Sequence, residues 1–244
     1  MASASVLLGV EMVRRELGGG EVAVVVDVIR ASTTIITALR MGAASVIPSS
    51  SIREAFKLRE IHGDAVLSGE RGGVKIKGFH VDNSPTEVSS SDIKGRSLVI
   101  TTTHGTRLIK AAMERTDKVL VGGLINRAAC SKLAYELAEM NGVDVKVVIP
   151  RSTIGICIED LYAAGLILKS LRDLGVGCRG DLAGIASVMA GVDIEEMRGI
   201  IRESTSATIV KGIGHEDDVD YCLKLDEVDL IPASKGLELK AVTL

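Results

Sequence analysis

Four short runs of β-branched and aliphatic residues, Val22 to Val28, Ser97 to Thr102, Lys118 to Val121 and Val143 to Ile149, limit the fold of this chain more than any other feature. Each is shorter than a typical helix and almost continuously apolar, so each reads as a strand covered on both faces rather than one with a wet side. Segments of helical period lie around them, often closed by Gly or Asn. They predict helices over Ser32 to Met41, Ile52 to Ile61, Gly105 to Arg115, Asn126 to Met140, Ile158 to Leu174 and Asp217 to Leu225. Strands alternating with helices imply βαβ units, hence an α/β chain with three layers, α/β/α, around a largely parallel or mixed sheet. Composition agrees: 46% of the residues are hydrophobic but only 2% are aromatic, which gives the aliphatic core that buried parallel strands need.

At 244 residues the chain is expected to form a single catalytic unit, 1–244, with a lobe boundary near 122–126, where Gly122 and Gly123 adjoin. Arg30-Ala31-Ser32-Thr33-Thr34-Ile35 and Arg151-Ser152-Thr153-Ile154 each follow an apolar run and precede a helix. They read as the trace of two similar lobes or as coincidence. A net charge of -3, with no basic run longer than Arg14-Arg15, excludes a general attraction for nucleic acid or an anionic membrane, so any anion site is local. Cys130, Cys157, Cys178 and Cys222 form no CxxC pair and read as free thiols. Without a basic-plus-apolar leader or an apolar run of about 18 residues, the cytoplasm is the expected compartment. A homodimer is the base-rate expectation.

In an open parallel sheet the chemistry gathers where strands give way to helix N-termini. Asp27 and Arg30 lie at such an end, followed by Ser32, Thr33 and Thr34. Read for function, they are a metal-binding or nucleophilic carboxylate, a guanidinium fork and an anion nest; read for structure, an ion pair and a helix cap. Glu70 and Arg71, flanked by Gly69 and Gly72, are either a metal ligand beside a phosphate clamp or a solvated ion pair. His80, Asp82, Asn83 and Ser84 before Pro85 form a binding loop or a polar turn. Thr101 to Arg107 carries three threonines, His104, Gly105 and Thr106 at another strand end. It reads as a phosphate cradle with His104 as acid or base, or as strand and cap. Glu159 and Asp160 open a helix, where the dipole alone favours acids; they rank second as metal ligands. Asp217 and Asp218 read as further first-turn acids and carry no functional weight.

Taken together, Asp27 to Thr34, Gly69-Glu70-Arg71, Gly78-Phe79, Asn83-Ser84-Pro85, the threonine run with Gly105-Thr106, and Glu159-Asp160 resemble the 2-phosphosulfolactate phosphatase family in order and spacing. The resemblance covers most of the chain. It implies a compact α/β fold unlike the common phosphatase folds, and a Mg²⁺-dependent phosphoric monoester hydrolase acting on 2-phospho-3-sulfolactate in coenzyme M biosynthesis. By motif it points to Asp27, Arg30, Glu70, Arg71, Asn83, Ser84, Thr102, Gly105 and Thr106 as site residues. His80, Asp82 and His104 depart from the family pattern, which has Asp, Gly and Asn there; two imidazoles beside one pocket would favour softer cations than Mg²⁺.

The expected division of labour follows from phosphoryl transfer, in which charge spreads over the phosphoryl oxygens and has to be neutralised. Asp27, Glu70 and Asp82 are expected to hold Mg²⁺, while Arg30 and Arg71 bind phosphate or a second anion and His104 joins the catalytic group. Ser32, Thr33, Asn83, Ser84, Thr102, Thr103, Gly105 and Thr106 are expected to bind the small phosphomonoester. Direct attack by water and an acyl phosphate on Asp27 both remain open. Two other classes compete: a non-catalytic binder of a phosphorylated or sulfonated anion, and a hydrolase using a histidine base.

Overall fold

The computed structural model describes residues 2–152 and 155–244. The chain begins β1 (Ser3–Leu8), α1 (Gly9–Glu16), β2 (Val22–Val26), α2 (Ala31–Arg40), β3 (Ser45–Pro48), α3 (Ile52–Ile61), β4 (Val66–Arg71), β5 (Val74–Lys75) and α4 (Pro85–Ser89). It continues with β6 (Ser97–Thr101), α5 (Gly105–Met113), β7 (Val119–Gly122), a turn of 3-10 helix at Leu124–Asn126, α6 (Arg127–Asn141), β8 (Val145–Ile149), α7 (Ile158–Asp173), β9 (Gly177–Cys178), α8 (Asp181–Met189), α9 (Ile194–Arg202), α10 (Thr205–Gly212), α11 (Glu216–Cys222), β10 (Leu230–Lys235) and β11 (Glu238–Thr243).

All strands join one mixed sheet, in the order β5-β4-β6-β3-β11-β10-β7-β2-β8-β1-β9. Two parallel blocks, β4-β6-β3 and β7-β2-β8-β1-β9, are linked by the antiparallel β10–β11 hairpin, which pairs with β7 on one side and β3 on the other. The three-layer expectation is met, and β2 shows why. Val22, Val24 and Val26 face a core shared with α6 and α7, whereas Ala23 and Val25 face another, shared with α1, α2 and α5. A strand buried on both faces reads as an unbroken apolar run, which is what Val22–Val26 is. β7 and β8, either side of residues 122–126, both pair with β2, so the sheet runs through that point. Of the proposed internal repeat, Thr153 and Ile154 lie outside the described residues.

Among the described residues no helix is long and apolar enough to cross a membrane. The four cysteines are free thiols. α7 packs on α8 at Gly165, where a Cβ would lie 2.1 Å from the Ala186 carbonyl oxygen. Gly165→Ala is therefore expected to cost roughly 1–3 kcal/mol through overpacking. The check is equilibrium unfolding in urea: the midpoint should fall with an unchanged slope.

Candidate active site

A cavity of about 360 Å³ opens at the carboxyl ends of the parallel strands, lined by Asp27, Arg30, Glu70, Asn83, Thr102, Thr103, His104 and Asp160 together with Pro150, Cys157, Ser206, Ile209 and Val210. This is where an open parallel sheet places its ligands. Asp27 directly follows β2. Its N–H donates to Ser32 Oγ (2.8 Å), and its Oδ1 accepts a long bond from the Ala31 N–H (3.4 Å). Its Oδ2 lies against Gly105, where a Cβ would come within 2.4 Å of that oxygen, so only glycine admits this approach. Asp160, in the first turn of α7, accepts the Val28 N–H on Oδ1 (2.7 Å), which fixes α7 against the end of β2.

Asp27, Glu159 and Asp160 form a buried acidic group. Burial pushes the Asp27 carboxyl up to about 7, and the fields of Glu70 and Glu159 add to it. Burial also raises Glu159 and, well above the usual carboxylate range, Asp160, which further feels Glu159 and Asp27. Glu159 is 1% exposed, and its Oε2 has no hydrogen-bond partner among the described residues. One ligand atom from each of Cys157, Glu159 and Asp160 lies within 4.8 Å of the others. The Cys157 thiol is pushed up to about 12, chiefly by burial, so it adds no charge. Buried carboxylate oxygens with an unpartnered lone pair fit a hard divalent cation such as Mg²⁺.

Of the expected metal trio, Asp27 and Glu70 share the cavity wall and Asp27 feels Glu70's charge, whereas Asp82 is absent from that wall. Glu70 is filled by protein donors: Oε1 takes the Thr103 N–H (2.6 Å), and Oε2 takes the Gly73 N–H (2.8 Å) and the Thr103 hydroxyl (3.0 Å). Asp82 lies behind Arg30, whose guanidinium donates to Asp82 Oδ2 (3.2 Å), Asp218 Oδ2 (2.8 Å) and the Gly73 carbonyl (3.1 Å) while 3% exposed. Arg71 turns onto the Glu70 carbonyl (2.6 Å) and Thr101 Oγ1 (2.9 Å), away from the cavity. The guanidinium forks assigned to phosphate are thus largely occupied within the protein.

Several of the expected substrate-binding residues are hydrogen-bonded within the protein. Thr33 donates to the Val28 carbonyl (2.8 Å), and Ser84 caps α4, with Pro85 in its first turn, while donating to Asp218 Oδ1 (2.8 Å). The Thr102 N–H donates to Thr106 Oγ1 (3.0 Å) and the Thr106 N–H to Thr102 Oγ1 (3.1 Å), locking the turn into α5. Asn83, Thr102, Thr103 and His104 do line the cavity, and Asn83 Oδ1 has no partner among the described residues. His104 is half-buried, and burial lowers its pKa, so it is neutral at pH 7. His80 is exposed, its Nδ1 accepting the Leu67 N–H (2.8 Å), and is absent from the cavity wall, so only one of the two departing imidazoles reaches the site.

Asp218 and His215 were missed. Asp218 is fully buried, and His215 places Nε2 3.2 Å from Asp82 and Nδ1 3.5 Å from Asp218. The helical phase was the signal: Asp218, Val219 and Cys222 are the buried residues of α11, while Asp217 points out. In α7, Glu159 and Asp160 begin a helix that stays buried through Gly165, a stronger sign than a first-turn acid.

A strand-end carboxylate, a buried acidic group and a helix N-terminus thus meet around one cavity of a three-layer α/β protein. The 2-phosphosulpholactate phosphatase family matches residues 10–236, and the chain belongs to that family of phosphoric monoester hydrolases. It is similar to proteins described as probable 2-phosphosulfolactate phosphatases. That of Clostridium acetobutylicum is 32% identical over 93% of this chain and 94% of its own, and that of Deinococcus radiodurans is 36% identical over 87% of each. That of Carboxydothermus hydrogenoformans is 36% identical over 86% of this chain and 84% of its own.

The acidic group sets a pH dependence in protein freed of divalent ions. The Asp27 carboxyl, at about 7 when folded and about 3.9 when unfolded, gives stability that is full below the lower value and lost as pH rises through the upper. Glu159 and Asp160 act with the same sign. The thermal midpoint should therefore fall from pH 5 to pH 8, and Asp27→Asn should reduce that slope.

Proposed function

We propose that this chain hydrolyses 2-phospho-3-sulfolactate to 3-sulfolactate and inorganic phosphate with Mg²⁺ as cofactor, a step of coenzyme M biosynthesis. The observation that carries the reading is the acidic group of Asp27, Glu159 and Asp160, buried without an ion-pair partner among the described residues beside the N-terminus of α5. Family membership supports the substrate class.

Glu159 and Asp160, with Asp27 beside them, are the residues that would hold Mg²⁺, which when bound would neutralise charge on the phosphoryl oxygens. The N-terminus of α5 offers its positive dipole end to the same oxygens. Asn83 Oδ1, buried and unpartnered among the described residues, is free to accept a hydrogen bond from the attacking water. Asp27 touches the α5 turn and senses Glu159, and is assigned removal of that water's proton. Ser32, Thr102 and Thr106 hold this geometry by fixing the backbone at residues 27 and 102 to 106.

Phosphate release from 2-phospho-3-sulfolactate by metal-stripped protein, with and without added Mg²⁺, tests the assignment. Turnover is expected only with the ion. Asp27→Asn should lower kcat by ~10²–10⁴ while Mg²⁺ still raises the thermal midpoint, whereas Asp160→Asn should lose that rise. Turnover indifferent to chelators, or an Asp27→Asn variant with full activity, would end the assignment.

A further inference from the structure

We infer that the sulfonate of the substrate is held in a second cavity beside the first, by Arg107 and Arg151. The inference rests on the phosphatase reading above. This cavity, also about 360 Å³, shares Thr103, His104, Pro150 and Ser152 with the acidic one, so a single small molecule can reach into both. Arg107, in α5, and Arg151, just past β8, line it. Neither forms an ion pair or a hydrogen bond among the described residues, in contrast to Arg30 and Arg71. Two unpaired guanidiniums at one concave surface are a site for an oxyanion with several acceptor oxygens.

α1 starts at this wall, with Gly9 and Val10 lining the cavity; its N-cap residue, Leu8, supplies no side-chain cap, and the carboxylate at that end is Glu11, in the first turn. Glu11 is the acidic residue on the wall, and two guanidiniums leave the balance positive. The first cavity is lined instead by the carboxyl groups of Asp27, Glu70 and Asp160, and its guanidinium, Arg30, is already paired with Asp82 and Asp218. In 2-phospho-3-sulfolactate the carboxylate is on the carbon that bears the phosphoester oxygen, whereas the sulfonate is one carbon further from phosphorus. With the phosphoryl group among the carboxylates and their cation, the sulfonate is the anion able to extend across the Thr103–His104 rim.

The test compares kcat/KM for 2-phospho-3-sulfolactate with that for 2-phospholactate, which keeps the carboxylate and lacks the sulfonate. In the Arg107→Ala/Arg151→Ala double variant the ratio of the two should fall by about tenfold or more, mainly through KM of the sulfonated ester, with partial recovery in the double lysine variant. An equal loss on both esters, or an unchanged ratio, would overturn the inference. If the wild-type protein with Mg²⁺ hydrolyses neither ester, it is the phosphatase reading that fails. Calorimetric titration with 3-sulfolactate then decides the cavity: weaker binding by the double variant upholds it, and equal binding overturns it.

Discussion

The carboxyl groups of Asp27, Glu159 and Asp160, buried where each feels another's charge, are the constraint that the rest of the site answers. Burying acids without partners lowers stability, and apolar residues of similar size would serve the fold better. The dipole of α7 and the Val28 N–H on Asp160 offset only part of the cost. The remainder is the burial cost that raises the pKa of all three carboxyl groups. Arg30, three residues beyond Asp27, does not meet it, because its guanidinium is committed to Asp82 and Asp218.

That commitment has its own consequence. Arg30 bonds to groups 43, 52 and 188 residues away in sequence, at Gly73, Asp82 and Asp218. A buried ion pair is weak evidence for stability, but it fixes relative positions. Here it gathers the end of β2, the loop after β4, the segment before α4 and the start of α11 around one point. Because Arg30 is also the N-cap residue of α2, the backbone turn that carries it carries Asp27 as well. The staple and the carboxylate are thus set by the same few residues.

β2, β6, β7 and β8 and six of the helices were legible because burial on both faces leaves an unbroken apolar run and amphipathic helices leave a period. β1, β3, β4 and the β10–β11 hairpin were not, since their apolar runs are short or interrupted, as at Ser68-Gly69-Glu70 and Pro232. The strand ends at Asp27 and Thr102 were readable as site positions from topology alone. Roles were harder. Glu70 and Asp82 are as acidic in sequence as Glu159 and Asp160, and only three-dimensional neighbours decide which carboxylate has every oxygen taken by protein donors and which keeps one, such as Glu159 Oε2, without a partner among the described residues. Ser32, Thr33, Ser84 and Thr106 likewise look like anion ligands in a motif and prove to be fastenings of the backbone that presents it.

The two cavities that meet at Thr103 and His104 differ in lining, with Asp27, Glu70, Asp160 and Arg30 in one and Arg107, Arg151 and Glu11 in the other, and this difference bears on how a substrate anionic at both ends is read. Like charges in a desolvated site repel by several kcal/mol, so an anion meets less repulsion on the arginine-lined side than beside the carboxyl groups. Under the proposed function, such a lining would orient a molecule anionic at both ends by exclusion as much as by attraction. His104, at the boundary and neutral at pH 7, separates the two fields without adding a charge to either, which Arg or Glu at that position could not do.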